Sequence, residues 1–153
     1  MKNENKCESL FWSIALPGFS QILNGKFLKG LLFIGLEFLI NVQSNYNDII
    51  LLSFNGNIKE AIQTTDYGWL MFYPCLYFFA MWDAYKDAGG GQQPYSFLPF
   101  AFTAFWVTIG VIYSSSFTLF GELPGPVWLP MLSVIPGVGT GRLIQWIVRK
   151  SRG

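Results

Sequence analysis

Glu37 is the costliest side chain in this sequence, because it stands in an apolar run, residues 27–42, whose only other charge is Lys29. An isolated charge in hydrocarbon costs roughly 2.5–3.5 kcal/mol on insertion scales, so such a carboxylate reads first as a proton or cation site. Asn41 and Gln43 follow closely and offer a second reading, in which a polar boundary is near and Glu37 is hydrated there. Asp83, Lys86 and Asp87 cluster at the end of another apolar run and read as a solvated boundary. Arg142 stands six residues before Val148, where it either snorkels toward water or pairs with Asp83. Little else can do chemistry. The chain has no histidine, which removes the commonest general base and metal ligand. Ser114-Ser115-Ser116 therefore has no histidine to activate it and suits helix packing. Cys7 and Cys75 form no paired spacing, so neither a metal site nor a redox centre is expected. A lipid-modifying enzyme needs acids or histidines gathered at one interface, and only Asp83 and Asp87 qualify. No catalytic, cofactor-binding or metal-binding residue is expected, and the chain reads as non-enzymatic.

A second kind of candidate is set by small residues. The segment Leu16-Pro17-Gly18-Phe19-Ser20-Gln21-Ile22-Leu23-Asn24-Gly25-Lys26-Phe27-Leu28-Lys29-Gly30 places Pro17, Gly18, Gln21, Gly25, Lys29 and Gly30 at fixed intervals. It resembles the Pro-Gly-x-Gly-Gln-x-x-x-Gly-x-x-x-Lys-Gly signature of small bacterial multi-pass membrane proteins, similar to the two-transmembrane-helix domain family. Ser20 stands where that signature has a glycine. The resemblance covers about fifteen residues and implies a helical hairpin in the membrane, with no agreed activity. Physically, glycines let backbones approach and turn where backbone groups must be paired internally. A weaker echo, Ile135-Pro136-Gly137-Val138-Gly139-Thr140-Gly141-Arg142, again sets Pro-Gly in an apolar stretch ahead of a basic residue. Two broken helices facing each other is one reading. Gly137 and Gly141 also form G-x-x-x-G, a close-packing or dimerisation face.

The elements that position these residues follow from charge placement. Apolar residues make up 52% of the 153 residues and charged residues 12%, against about 25% charged in a soluble domain. That leaves too little charge to cover a water-facing surface. A net charge of +1 gives no basic field for nucleic acid. Lys2 and Lys6 precede an apolar stretch, but Pro17-Gly18 follows without a small-x-small cleavage site, so the N-terminus is expected to be retained. A crossing helix needs about 20 residues. The expected fold is all-α, a single polytopic membrane domain over 1–153 with spans at 27–42, 67–85, 96–119 and 127–148. Residues 9–25 are broken by Pro17-Gly18 and read as a short or re-entrant helix. Residues 43–66 read as an external loop, in which Ile49, Ile50, Leu52, Phe54, Ile58 and Ile62 offer one apolar face of a surface helix. Residues 86–95 are a glycine-rich cytoplasmic linker that lacks the lysine and hydroxyl of a phosphate-binding loop.

Basic residues set the orientation. With the Lys26/Lys29 turn inside, Lys86, Arg149, Lys150 and Arg152 also fall inside, and Lys59 alone is left outside among Asp48, Glu60, Asp66 and Glu122. A re-entrant first helix keeps Lys2 and Lys6 inside and gives four spans; a true first span would give five. The expectation is a structural or accessory component of a bacterial cytoplasmic membrane, multi-pass, C-terminus inside. Its partners are the lipid bilayer and another membrane protein or a second copy. The alternative is a small transporter or channel component using Glu37 and the two Pro-Gly breaks.

Overall fold

The computed structural model describes the backbone of residues 2–152 and the side chains of residues 6–151. Its helices are α1 (Lys2–Ala15), α2 (Phe19–Leu23), α3 (Phe27–Gln43), α4 (Tyr46–Phe54), α5 (Ile58–Thr64), α6 (Tyr67–Leu70), α7 (Phe72–Asp87), α8 (Leu98–Tyr113) and α9 (Gly125–Arg152). Among the described residues there is no strand, only an isolated bridge between Leu119 and Glu122. The fold is all-α.

The helices end where side-chain chemistry or proline ends them. Asp66 accepts a hydrogen bond from the Trp69 N–H and so caps α6. Met71 joins α6 to α7, and Pro74 falls in the first turn of α7, where its missing N–H costs no helical bond. Residues 67–85 thus fold as two helices in series, joined at Met71. Of the expected residues 96–119, Leu98–Tyr113 form the helix, 16 residues that are short for an untilted crossing of about 20. The helix α8 stops at Tyr113, where the Ser114 hydroxyl donates back to the Val111 carbonyl at 2.8 Å.

Two other expectations are corrected. The first helix starts at Lys2, not near residue 9, and runs fourteen residues before the Pro17-Gly18 break. The polar tail coils because Ser9 and Ser13, four residues apart on one face, are both buried. Residues 43–66 are also not a loop. They fold as the pair α4 and α5, broken at Asn55-Gly56-Asn57 instead of presenting one continuous face. Fully buried Ile49 and Ala61 pack with Val127 at the start of α9. The Trp128 indole N–H donates to the Ser53 carbonyl at 3.3 Å, which holds the pair in place.

The tightest pairing is α8 against α9, antiparallel. A Cβ added to Gly137 would lie 2.6 Å from the Thr103 Cα, and one added to Gly141 2.5 Å from the Pro99 Cα. Gly110 meets α9 in the same way at Pro130 and Ser133. The Trp106 indole N–H donates to the Thr140 hydroxyl at 3.1 Å across this seam. Pro130 and Pro136 lie inside α9, yet the helix is continuous through both. Pro136-Gly137 is thus not a second broken helix, and the pair of facing breaks is absent.

The helix ends sort into two groups. Lys6 lies beside Gly89, Lys29 meets Asp83 and Asp87, and Arg149 meets Gln93. The starts of α1 and α3 and the ends of α7 and α9 therefore share one end of the molecule. The α4–α5 pair covers the other end. By length and composition α9, over Gly125–Ser151, is long and apolar enough to cross a membrane. The helices α3 and α4 qualify together as one segment bent by 64°.

Candidate functional site

The signature residues converge on one junction of α1, α2, α3 and α7. Gly18 adopts φ +97°, left-handed territory that a side chain would strain, and its space is closed as well. A Cβ there would lie 2.5 Å from the Gly30 carbonyl oxygen, and one on Gly30 would lie 2.7 Å from the Gly18 carbonyl oxygen. The two glycines thus bring α2 and α3 together backbone to backbone. Gly25 also has positive φ, +75°, but nothing stands within 4 Å of its added Cβ. It serves the turn alone.

The polar members are tied to α7. Fully buried Gln21 donates through Nε2 to the Ala80 carbonyl at 2.9 Å and to Asp83 Oδ2 at 3.3 Å. Ser20, where the signature has glycine, places its hydroxyl 2.6 Å from that of Ser9, which donates to the Ala84 carbonyl at 3.0 Å. Lys29 Nζ lies 2.8 Å from Asp83 and 3.2 Å from Asp87. Asp83 is thus the partner of Lys29 and not of Arg142, which is exposed and in no ion pair among the described residues. The acidic cluster is not a merely solvated boundary, since both acids are engaged. The Tyr77 hydroxyl donates to the Ile14 carbonyl at 2.6 Å and holds the far end of α1. Together these bonds run α1 antiparallel to α7 and return α2 to the end where α1 began. The hydroxyls of Ser9, Ser13 and Tyr77 were missed from sequence. The four-residue spacing of Ser9 and Ser13 is the signal that could have found them.

Glu37 lies apart from this junction. It falls on the packed stripe of α3 with Gly30, Phe33 and Ile40, and it is half-buried. The Tyr73 hydroxyl donates to its Oε1 at 3.4 Å, while Oε2 is buried without a partner. Tyr73 stacks in turn on Tyr77 and tilts against Tyr46, with centroids 5.7 and 4.8 Å away. Among the described residues no cation reaches Glu37, and no three His, Cys, Asp or Glu side chains group as a metal site. Both cysteines are free and exposed.

Two apolar recesses complete the surface. One is an open groove of about 860 Å³ between α3, α7 and α8. The other, about 490 Å³, is a cleft bordered by Tyr46, Tyr73, Tyr77 and apolar residues of α7, α8 and α9. The arrangement is a set of internal polar clasps inside an apolar exterior, with no nucleophile–base pair among the described residues. No family model, curated protein or solved structure matches this chain.

Proposed function

We propose that this chain is a multi-pass integral protein of a bacterial cytoplasmic membrane, acting as a non-enzymatic structural or accessory component. The observation that carries the reading is an inversion of ordinary surface chemistry. Polar Gln21, Ser9, Ser13 and Ser20 are buried, while Leu28, Phe38 and Ile135 are 85%, 71% and 73% exposed. In α9 only 22% of the most apolar stretch is buried, unlike the core helix of a soluble protein. On this reading the α1–α2 hairpin is re-entrant, and α3, α6–α7, α8 and α9 carry the four crossings. The segment that resembles the small bacterial membrane proteins similar to the two-transmembrane-helix domain family is residues 16–30, from the Pro17-Gly18 break through α2 to the start of α3. The partners are lipid and another membrane protein or a second copy.

Thiol accessibility tests the topology. Cys7 should resist an impermeant maleimide in intact cells when it is the sole cysteine. In a background without native cysteines, Lys86→Cys and Ser151→Cys should also resist, and Lys59→Cys should react. Labelling of Lys86→Cys would reverse the orientation, and labelling of Cys7 would make α1 a fifth crossing.

The unpartnered Oε2 of Glu37 favours a second reading, a small transporter or channel component with a carboxylate site. Glu37→Gln separates the two, because it keeps size and the Tyr73 hydrogen bond while removing charge. An accessory component should keep full growth complementation of a deletion strain, under a condition where the deletion has a phenotype. A transporter should lose complementation while the purified protein melts at the same temperature or higher. The first outcome is expected.

A further inference from the structure

The groove between α3, α7 and α8 has a polar end that the rest of the molecule leaves unused. Phe72, Cys75, Phe79 and Trp82 line it from α7. Their spacing of three, four and three residues makes one helical stripe. Four residues on, the same stripe reaches Lys86, which is exposed. Its acidic neighbours Asp83 and Asp87 both pair with Lys29, and among the described residues Lys86 itself is in no ion pair. From Phe72 to Trp82 the stripe rises about 15 Å. That is half of a roughly 30 Å hydrocarbon core, the depth of one leaflet. Lys86 lies about 6 Å further along the helix, in the layer of headgroups. On α8 the small residues Ala101 and Ala104 leave the volume open, and Phe100 closes the inner wall against Trp82 at 5.6 Å between ring centroids.

We propose that this groove binds an anionic phospholipid of the leaflet on the Lys86 side. One acyl chain lies along Phe72, Phe79 and Trp82, and the phosphate pairs with Lys86. The groove matches the chain in length and apolarity. The Lys86 ammonium, in no ion pair among the described residues, lies beyond its end on the same helical stripe and matches the headgroup in charge. The site rests on the membrane reading above. It goes beyond general solvation by lipid, because it is one place with a preference for negative charge.

The test uses the purified full-length chain in mild detergent. Native mass spectrometry measures binding of phosphatidylglycerol and phosphatidylcholine with identical acyl chains. Phosphatidylglycerol should bind about five-fold more tightly, the scale of one lysine at a membrane surface. Lys86→Glu should erase that preference and leave phosphatidylcholine binding unchanged. Ala104→Phe should fill the groove and weaken both lipids. Lys86→Gln serves in place of Lys86→Glu if the latter melts early. Phosphatidylglycerol with a diazirine in its acyl chain should crosslink to the peptide holding Phe79 and Trp82. Equal binding of the two lipids overturns the site, as does crosslinking spread evenly over Leu28 and Ile135. Crosslinks from the groove to a second copy also overturn it, since they would make the groove an interface. Release of the chain from membranes by alkaline carbonate would mark failure of the membrane reading instead.

Discussion

Gly18→Leu should be the most damaging single substitution in the N-terminal hairpin. Two independent costs fall on this position. A side chain at φ +97° is strained by about 1–3 kcal/mol. The same side chain would meet the Gly30 carbonyl oxygen at 2.5 Å, and overpacking against backbone costs about another 1–3 kcal/mol. The sum, roughly 2–6 kcal/mol, is a large part of the 5–15 kcal/mol that holds a typical domain folded. Leucine is also more lipid-soluble than glycine, so poorer insertion cannot explain a loss. Purified Gly18→Leu should melt well below the parent in detergent or fail to accumulate. Gly25 supplies the internal comparison, because it shares the positive φ but has open space around it. Gly25→Asn should be nearly neutral, since asparagine tolerates that backbone region. If Gly18→Leu melts like the parent, the backbone contact between α2 and α3 is not what holds the hairpin.

The paired substitution Gly137→Leu with Gly141→Leu should have the second largest effect, and it should act within one chain. Both glycines face α8 backbone, at Thr103 and Pro99, so the obstacle is not a movable side chain. Two leucines would force α8 and α9 apart along the seam that holds Trp106 to Thr140. Each overpacked site costs about 1–3 kcal/mol. The expected result is a large fall in melting temperature with no change in oligomeric state at equal detergent and protein concentration. If instead the parent is a dimer and the variant a folded monomer, the G-x-x-x-G face works between chains and the seam tolerates expansion.

The helical class was legible because uncharged runs and their bounding charges are local signals. Residues 27–42 and 127–148 lie almost end to end within α3 (Phe27–Gln43) and α9 (Gly125–Arg152). What was not legible depends on distant partners. The sequence offers Arg142 as a partner for Asp83, and only the fold brings Lys29, 54 residues earlier, to 2.8 Å. The two Pro-Gly pairs look alike in sequence and differ in structure. Gly18 is pressed against Gly30 in a turn, whereas Gly137 packs on Thr103 within an unbroken helix. Composition also misled at both polar stretches. The N-terminal residues and residues 43–66 were judged by their asparagines and charges. The structure is decided there by a few inward positions, Ser9, Ser13, Ile49 and Ala61, that find a neighbour to cover. Glu37 stands out in the sequence by its charge alone, while its partner Tyr73 lies 36 residues away and carries no signal of its own.

The α1–α2 hairpin has a consequence for how the protein is made. Buried Gln21 and Ser9 have partners on α7, which the ribosome delivers later, whereas Ser13 and Ser20 are bonded to Ser9 within the hairpin. Gln21 precedes the Ala80 carbonyl it needs by 59 residues, and Ser9 precedes Ala84 by 75. At translation rates of about 5–20 residues per second, the hairpin waits roughly 3–15 s for its partner. During that interval Gln21 and the Ser9 hydroxyl lack their acceptors on α7, so the membrane reading keeps the hairpin at the water interface until α7 arrives. The α1–α2 hairpin is therefore seated only once α7 has been made, and the Lys29–Asp83 contact closes beside it.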